Sequence, residues 1–124
     1  MGYMTPPNRV SCWNYRVHSV DRVVDGDTID LDVDLGFNIH QKMRIRLMDI
    51  DTPEIRGEEK VKGLKVKDLV EELCKDAESI VLESIKGKKG KYGRYLGIIH
   101  LKLAGGGWID LNNYLKLEGY GRVQ

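Results

Sequence analysis

Three stretches of the chain carry residue types that could do chemistry: DGDT at 25–28, RIRLMDIDTPE at 44–54 and KYGR at 91–94. The first two are dense in carboxylates, and the last two hold arginines. Carboxylate and carbonyl oxygens are the donors a hard cation such as calcium takes, roughly six to eight of them in a flexible geometry. Arginine presents a planar, permanently charged fork that meets phosphate oxygens with two parallel bonds, which lysine cannot imitate. A glutamate such as Glu54 can take or orient the proton of a water. Such parts suit work on a phosphate ester. Singly, each has a plainer explanation. Asp27 is a turn residue, since DGDT favours tight turns. Asp51, with Thr52 and Pro53 behind it, starts an Asx-type turn. Glu54 is a solvated carboxylate, Arg46 a partner for nearby aspartates, and Arg94 one more base in a basic loop. Coincidence in three separate blocks favours the joint reading.

The elements that must position these residues follow from periodicity. YRVHSVDRVV at 15–24 is β-rich and predicts a first strand. In TIDLDVDL, Ile29, Leu31, Val33 and Leu35 alternate with Asp30, Asp32 and Asp34, the period of a half-buried strand. QKMRIRLM alternates likewise, with Met43, Ile45 and Leu47 on one face and Lys42, Arg44 and Arg46 on the other. The pair predicts a hairpin whose outer face sets an aspartate row against a basic row, each cross-strand pair stabilising by ~0.2–1 kcal/mol. Asp30, Asp32 and Asp34 are therefore expected to be a solvated, paired face and not a metal site. GEEKVKG reads as a polar loop. LKVKDLVEELCKDA then sets Val66, Leu69, Val70, Leu73, Cys74 and Ala77 at helical spacing. SIVLESIK and YLGIIHLKL predict two more strands around the glycine-and-lysine loop KGKKGKYGR, which reads as a phosphate-tracking patch. A last helix is expected from the N-cap Asp110 to a stop at Gly119. Three strands, helix, two strands, helix fit a mainly β fold with helices (α+β), a five-stranded Greek-key barrel of the OB type with one helix inserted after strand three.

The 124 residues suit a flexible tail at 1–13 and one domain at 14–124. Hydrophobic residues at 41% and charged ones at 31% make an ordinary globular balance, and the net charge of +1 excludes any argument from total charge. The two cysteines, Cys12 and Cys74, read as unpaired thiols, with no CxxC metal pair. No signal peptide or membrane-length apolar run is present, so the chain as given reads as soluble and cytoplasmic. His18, His40 and His100 are scattered without metal-ligand spacing and are expected at surface or strand positions. Trp13, Trp108 and Tyr95 are expected to be packing residues. Glycines 105–107 form a turn and are not followed by the GK[ST] of a phosphate loop.

The DGDT, RIRLMDIDTPE and KYGR blocks, in that order, resemble the staphylococcal nuclease (thermonuclease-like) family over roughly residues 15–123. The resemblance implies an OB-type barrel, a bound calcium ion, and hydrolysis of DNA and RNA with little sequence choice. It implies that the bond to the 5′ oxygen breaks and leaves 3′-phosphate ends. Carried over residue by residue, it puts the calcium carboxylates at Asp27 and Asp51, with Thr52 ligating through its main-chain carbonyl. It puts the catalytic glutamate at Glu54, the catalytic arginines at Arg46 and Arg94, and terminal-phosphate contacts at Lys91 and Tyr92. The implied partners are DNA and RNA, single-stranded or frayed ends preferred, with no membrane and no obligate protein partner. Family members are often secreted.

Three departures stand out. Asp49 occupies a position that is usually apolar in the family and is a possible extra charge near the metal. The segment between Glu54 and the first helix is short and carries Arg56, Glu58, Glu59 and Lys60. The given chain ends at Gln124, where family members continue into a third helix whose tyrosines wall the nucleotide pocket. The alternative is a non-catalytic nucleic-acid-binding or interaction module of the same fold.

Overall fold

The computed structural model describes residues 12–89 and 95–123. Among these described residues eight strands and two α-helices follow in the order β1 (Cys12–Asp25), β2 (Thr28–Asp34), β3 (His40–Leu47), β4 (Ile50–Asp51), α1 (Lys60–Asp76), β5 (Ser79–Lys89), β6 (Tyr95–Lys102), β7 (Trp108–Asp110), α2 (Leu111–Leu117) and β8 (Arg122–Val123). The main sheet runs β3-β2-β1-β5-β6-β7, and a parallel pairing of β3 with β6 closes its first five strands into a barrel. The fold is thus mainly β with two helices and a closed OB-like barrel, with α1 inserted after the first barrel strands.

The long first strand serves both sides of the barrel. Cys12–Arg16 pairs with β5, and Arg16–Asp25 pairs with β2. It turns that corner through three register shifts along the β2 pairing, and each such bulge bends a strand and increases its twist. Alternation decides what fills the barrel. Ile29, Leu31 and Val33 on β2 and Ile45 and Leu47 on β3 are all buried, against Leu82, Ile99 and Leu101 from β5 and β6. Helix α1 adds Val66, Val70 and Cys74 to this core. A fully buried side chain of this size contributes about 1.5–3 kcal/mol. Burial pushes the free Cys74 thiol up to about 11, so it packs as a small apolar group. Helix α2 starts where expected: Asp110 Oδ1 accepts the Asn113 N–H at 2.9 Å, and Gly119 takes a φ of 75° just past the end.

The details depart from the sequence expectations in several places. β1 begins at Cys12, ahead of the expected Tyr15, and residues 1–11 lie outside the described residues. GEEKVKG is not all loop: Gly57–Glu59 forms a 3-10 turn, and α1 starts at Lys60. The strands β4, β7 and β8 are two or three residues long, too short to show a period. Trp13 and Trp108 are 46% and 52% exposed, so they are not core residues, whereas Tyr95 does pack against the core. Among the described residues no helix is long and apolar enough to cross a membrane.

Candidate active site

The tight turn between β1 and β2 carries Asp25 and Asp27, and β4 with its following loop carries Asp51, Thr52 and Glu54. Register brings them together. Thr28 pairs with Arg46 on β3, and the Leu47 N–H donates to the Asp27 carbonyl at 2.8 Å. The β1–β2 turn therefore lies beside the last residues of β3, where the DTPE segment begins. Between β3 and β4 the chain turns through Asp49, exposed and at a φ of 65°, a left-handed position that aspartate tolerates better than an apolar residue. That gives Asp49 a turn role.

Arg46 is the hub of the cluster. Its side chain is only 12% exposed. Nη1 donates to the carbonyls of Leu47 at 2.8 Å and Ile50 at 2.6 Å. Nη2 donates to Asp51 Oδ1 at 3.2 Å and stands 3.5 Å from Asp27 Oδ2. One nitrogen thus faces two carboxylates from separate loops. Arg46 is not a member of the hairpin's charge ladder, in which Arg44 makes the bidentate pair with Asp30.

Asp27 is buried and fully engaged. Oδ1 accepts from the Thr28 hydroxyl at 3.1 Å, and Oδ2 accepts the Thr52 N–H at 3.0 Å. Burial alone would raise its titration point. A hydrogen bond with Asp25, the Thr52 N–H and the charge of Arg46 outweigh burial and hold Asp27 below the usual carboxylate range. Asp25 goes the other way. Burial first, then the hydrogen bond and negative charge of Asp27, push it up to about 6. Thr52 Oγ1, buried beside this pair, has no hydrogen-bond partner. The cluster thus brings together the carboxylates of Asp25, Asp27 and Asp51 and the Thr52 hydroxyl, oxygens of the kind a hard divalent cation takes.

Close backbone approaches lock the geometry. Gly63 on α1 packs directly on the main chain of Glu54, leaving no space for a Cβ. A Cβ at Gly26 would stand 2.6 Å from Val66 Cγ1 and 2.8 Å from Thr52 Oγ1. The Glu54 N–H donates to Glu59 Oε1 at 3.2 Å, so the carboxylate in front of α1 is used to hold the DTPE loop. The Glu54 side chain is exposed. Beside the cluster lies a groove of about 370 Å³ whose lining includes Asp51, Pro53, Glu59, Lys62, Tyr120 and Arg122.

Of the residues singled out in the sequence, Asp27, Arg46, Asp51 and Thr52 meet in one cluster, and Glu54 follows on the same loop. Lys91, Tyr92 and Arg94 lie outside the described residues. Sequence reasoning missed Asp25, although its spacing in DGD offered the signal. It also missed Gly63, Glu59 and the buried Asn112, which accepts the Ile99 N–H and donates to the Met48 and Gly97 carbonyls beneath the β3–β4 turn.

The chain is 33% identical to an uncharacterized protein of Methanocaldococcus jannaschii over 124 aligned residues, which take in 84% of this chain and 57% of that protein. It therefore spans little more than half of that relative's length. The family described as staphylococcal nuclease homologue matches residues 44–124, from the middle of β3 through the DTPE loop to the end of the given sequence. With most of its length matched and a closed OB-like barrel beneath it, the chain belongs to the staphylococcal nuclease homologue family.

Proposed function

We propose that this protein is a calcium-dependent nuclease that hydrolyses DNA and RNA phosphodiesters with little sequence choice and prefers single-stranded or frayed substrates. The observation that carries the reading is the Arg46 guanidinium seated between Asp27 and Asp51, at 3.5 and 3.2 Å. Asp27, Asp51 and the Thr52 carbonyl would hold the calcium ion, and the carboxylate oxygens gathered there support that assignment. When bound, the ion would draw charge from a phosphate oxygen and orient the ester.

The chain's own residues supply the rest. Two carbonyls fix Nη1 of Arg46, and Nη2, which lies against Asp51 and Asp27, is the nitrogen proposed to turn to the phosphate. Arg94 is the second guanidinium of the proposal. The five-coordinate transition state gathers negative charge on its equatorial oxygens, and aligned charged donors there are worth about 3 kcal/mol each. Glu54, exposed at the loop edge, takes or orients the proton of the attacking water. Water oxygen bonds to phosphorus and the bond to the 5′ oxygen breaks. The leaving oxygen gains a proton, and the products are a 3′-phosphate and a 5′-hydroxyl. Lys91 and Tyr92 are proposed terminal-phosphate contacts. Lys62, Tyr120 and Arg122 in the neighbouring groove give a polynucleotide charged and aromatic contacts next to the cluster.

The test is digestion of plasmid and single-stranded substrates with calcium, with chelator, and with calcium restored. Cleavage is expected to stop in chelator and return with the ion. Glu54→Gln and Arg94→Ala are each expected to cut turnover by about a hundredfold or more. Full activity in chelator would overturn the reading. Retention of single strands on a gel, with no cleavage at any calcium level, would instead make the protein a binding module of the same fold.

A further inference from the structure

His18 and His40 show no metal spacing in the sequence, yet they meet Asp32 on the outer face of the barrel. Two features of the sheet bring this about. Val17 pairs with Val33 and Ser19 with Asp32, so His18 is the extra residue of a bulge in β1. Bulges re-aim side chains in this way. On the other side, Asp32 pairs with Lys42 and Asp34 with His40, which puts His40 diagonal to Asp32 on the same face, within reach of a ring. The two imidazole centroids are 4.5 Å apart at an interplanar angle of 62°. One candidate ligand atom from each of the three residues lies within 4.8 Å of the other two.

Asp32 is the member that asks for an explanation. Its Oδ1 is closed off from solvent and has no hydrogen-bond partner, a costly state for a carboxylate oxygen. The rest of the row is matched: Asp30 by Arg44 and Asp34 by the Gly36 N–H at 2.7 Å. Lys42 stands directly opposite Asp32 but turns to Asp21 at 2.9 Å. His40 Nδ1 is 3.5 Å from Asp32 Oδ1, too far for a hydrogen bond. It is close to the ~3.3 Å that separates two donors on one tetrahedral ion with bonds of ~2.0–2.1 Å.

We infer that His18, Asp32 and His40 form a binding site for a borderline divalent transition metal of the zinc type, with two imidazole nitrogens, one carboxylate oxygen and a position left open to water or an outside ligand. Imidazole suits zinc and its first-row neighbours, whereas calcium and magnesium take oxygens. The centre thus differs in chemistry from the carboxylate cluster of the proposed nuclease site. It also differs in place. Asp32 lies five residues beyond Asp27 along the chain, ~17 Å of extended strand, and His40 pairs at the opposite end of the β2–β3 hairpin from Arg46. An ion there would tie the bulge of β1 to the turn end of that hairpin. Because it binds the folded arrangement, it would raise thermal stability.

The test uses the full chain without a polyhistidine tag, stripped of metal and titrated with Co(II) and then Zn(II) in excess calcium. One equivalent of Co(II) is expected to develop visible d–d absorption, Zn(II) to displace it, and the melting temperature to rise with Zn(II). His18→Gln, Asp32→Asn and His40→Gln should each weaken binding by roughly tenfold or more and remove the thermal shift. The exposed His18 and His40 variants keep the test decisive should Asp32→Asn fail to fold. Asp27→Asn should leave Co(II) binding intact. Absence of stoichiometric uptake, or uptake that survives His40→Gln, overturns the inference. So does uptake that Asp27→Asn abolishes, since the ion would then sit in the carboxylate cluster, and calcium-dependent cleavage is measured separately from this binding.

Discussion

Asp25 and Asp27 leave one turn two residues apart and titrate in opposite directions. Asp25 is raised from 3.8 to about 6, chiefly by burial and then by Asp27. The native state therefore keeps a proton that the unfolded chain releases, and its Asp25 contribution to stability falls as pH climbs from about 4 to about 6. Asp27 is depressed, so its contribution is present above 3.8 and is lost as pH drops through its lower folded value. Urea denaturation in chelator across this range should show stability declining from about pH 4 to about pH 6 on account of Asp25. Asp25→Asn should flatten that limb and leave the acid limb below 3.8 in place. Identical slopes in the two proteins would show that Asp25 does not hold the extra proton. Asp25 could have been suspected from DGD, but the direction of its shift could not. That needed the burial of the turn and the Arg46 charge beside Asp27.

At the scale of elements, α1 and the DTPE loop define each other. The apolar stripe of Val66, Val70 and Cys74 was plain in the sequence, and it is the buried face. The start of the helix was not plain, because no side chain caps it and Glu59 instead accepts the Glu54 N–H. Gly63 gives this contact an opposed pair of expectations. Helix propensity alone says that Gly63→Ala stabilises by about 1 kcal/mol. The packing of Gly63 on the Glu54 main chain says that the added methyl pushes helix and loop apart, and overpacking of this kind costs about 1–3 kcal/mol. Packing should win: Gly63→Ala is expected to lower the urea midpoint and to reduce cleavage together. A stabilised, fully active variant would show that the loop yields to the helix without cost.

At the scale of the whole molecule, the C-terminal part of the described chain comes back to the cluster. Asn112 on α2 joins the β6 backbone at Ile99 and Gly97 to the β3–β4 turn at Met48, with distances of 3.0–3.2 Å. β8 pairs with β4, setting Arg122 opposite Asp51. Asn112→Ala leaves a buried N–H and two carbonyls to find other partners. Expected is a loss of about 3 kcal/mol in chemical denaturation, with lowered activity because the β3–β4 turn carries the chain into Asp51. A loss below about 1 kcal/mol would mean that water replaces the amide at little cost.

Local periods and contiguous motifs were enough for the barrel strands, the buried face of the first helix, the Asp110 cap and the nuclease-family kinship. Asp27, Arg46, Asp51 and Glu54 were legible for the same reason. Only the tertiary structure decided that Arg46 turns from the ladder to the carboxylates, that glycines admit α1 and the β1–β2 turn to the DTPE loop, and that His18 and His40 converge on Asp32. Those outcomes depend on strand register, and on a one-residue bulge that shifts it. A pairing between residues far apart in the chain is set by how the core packs, and no spacing along the sequence records it.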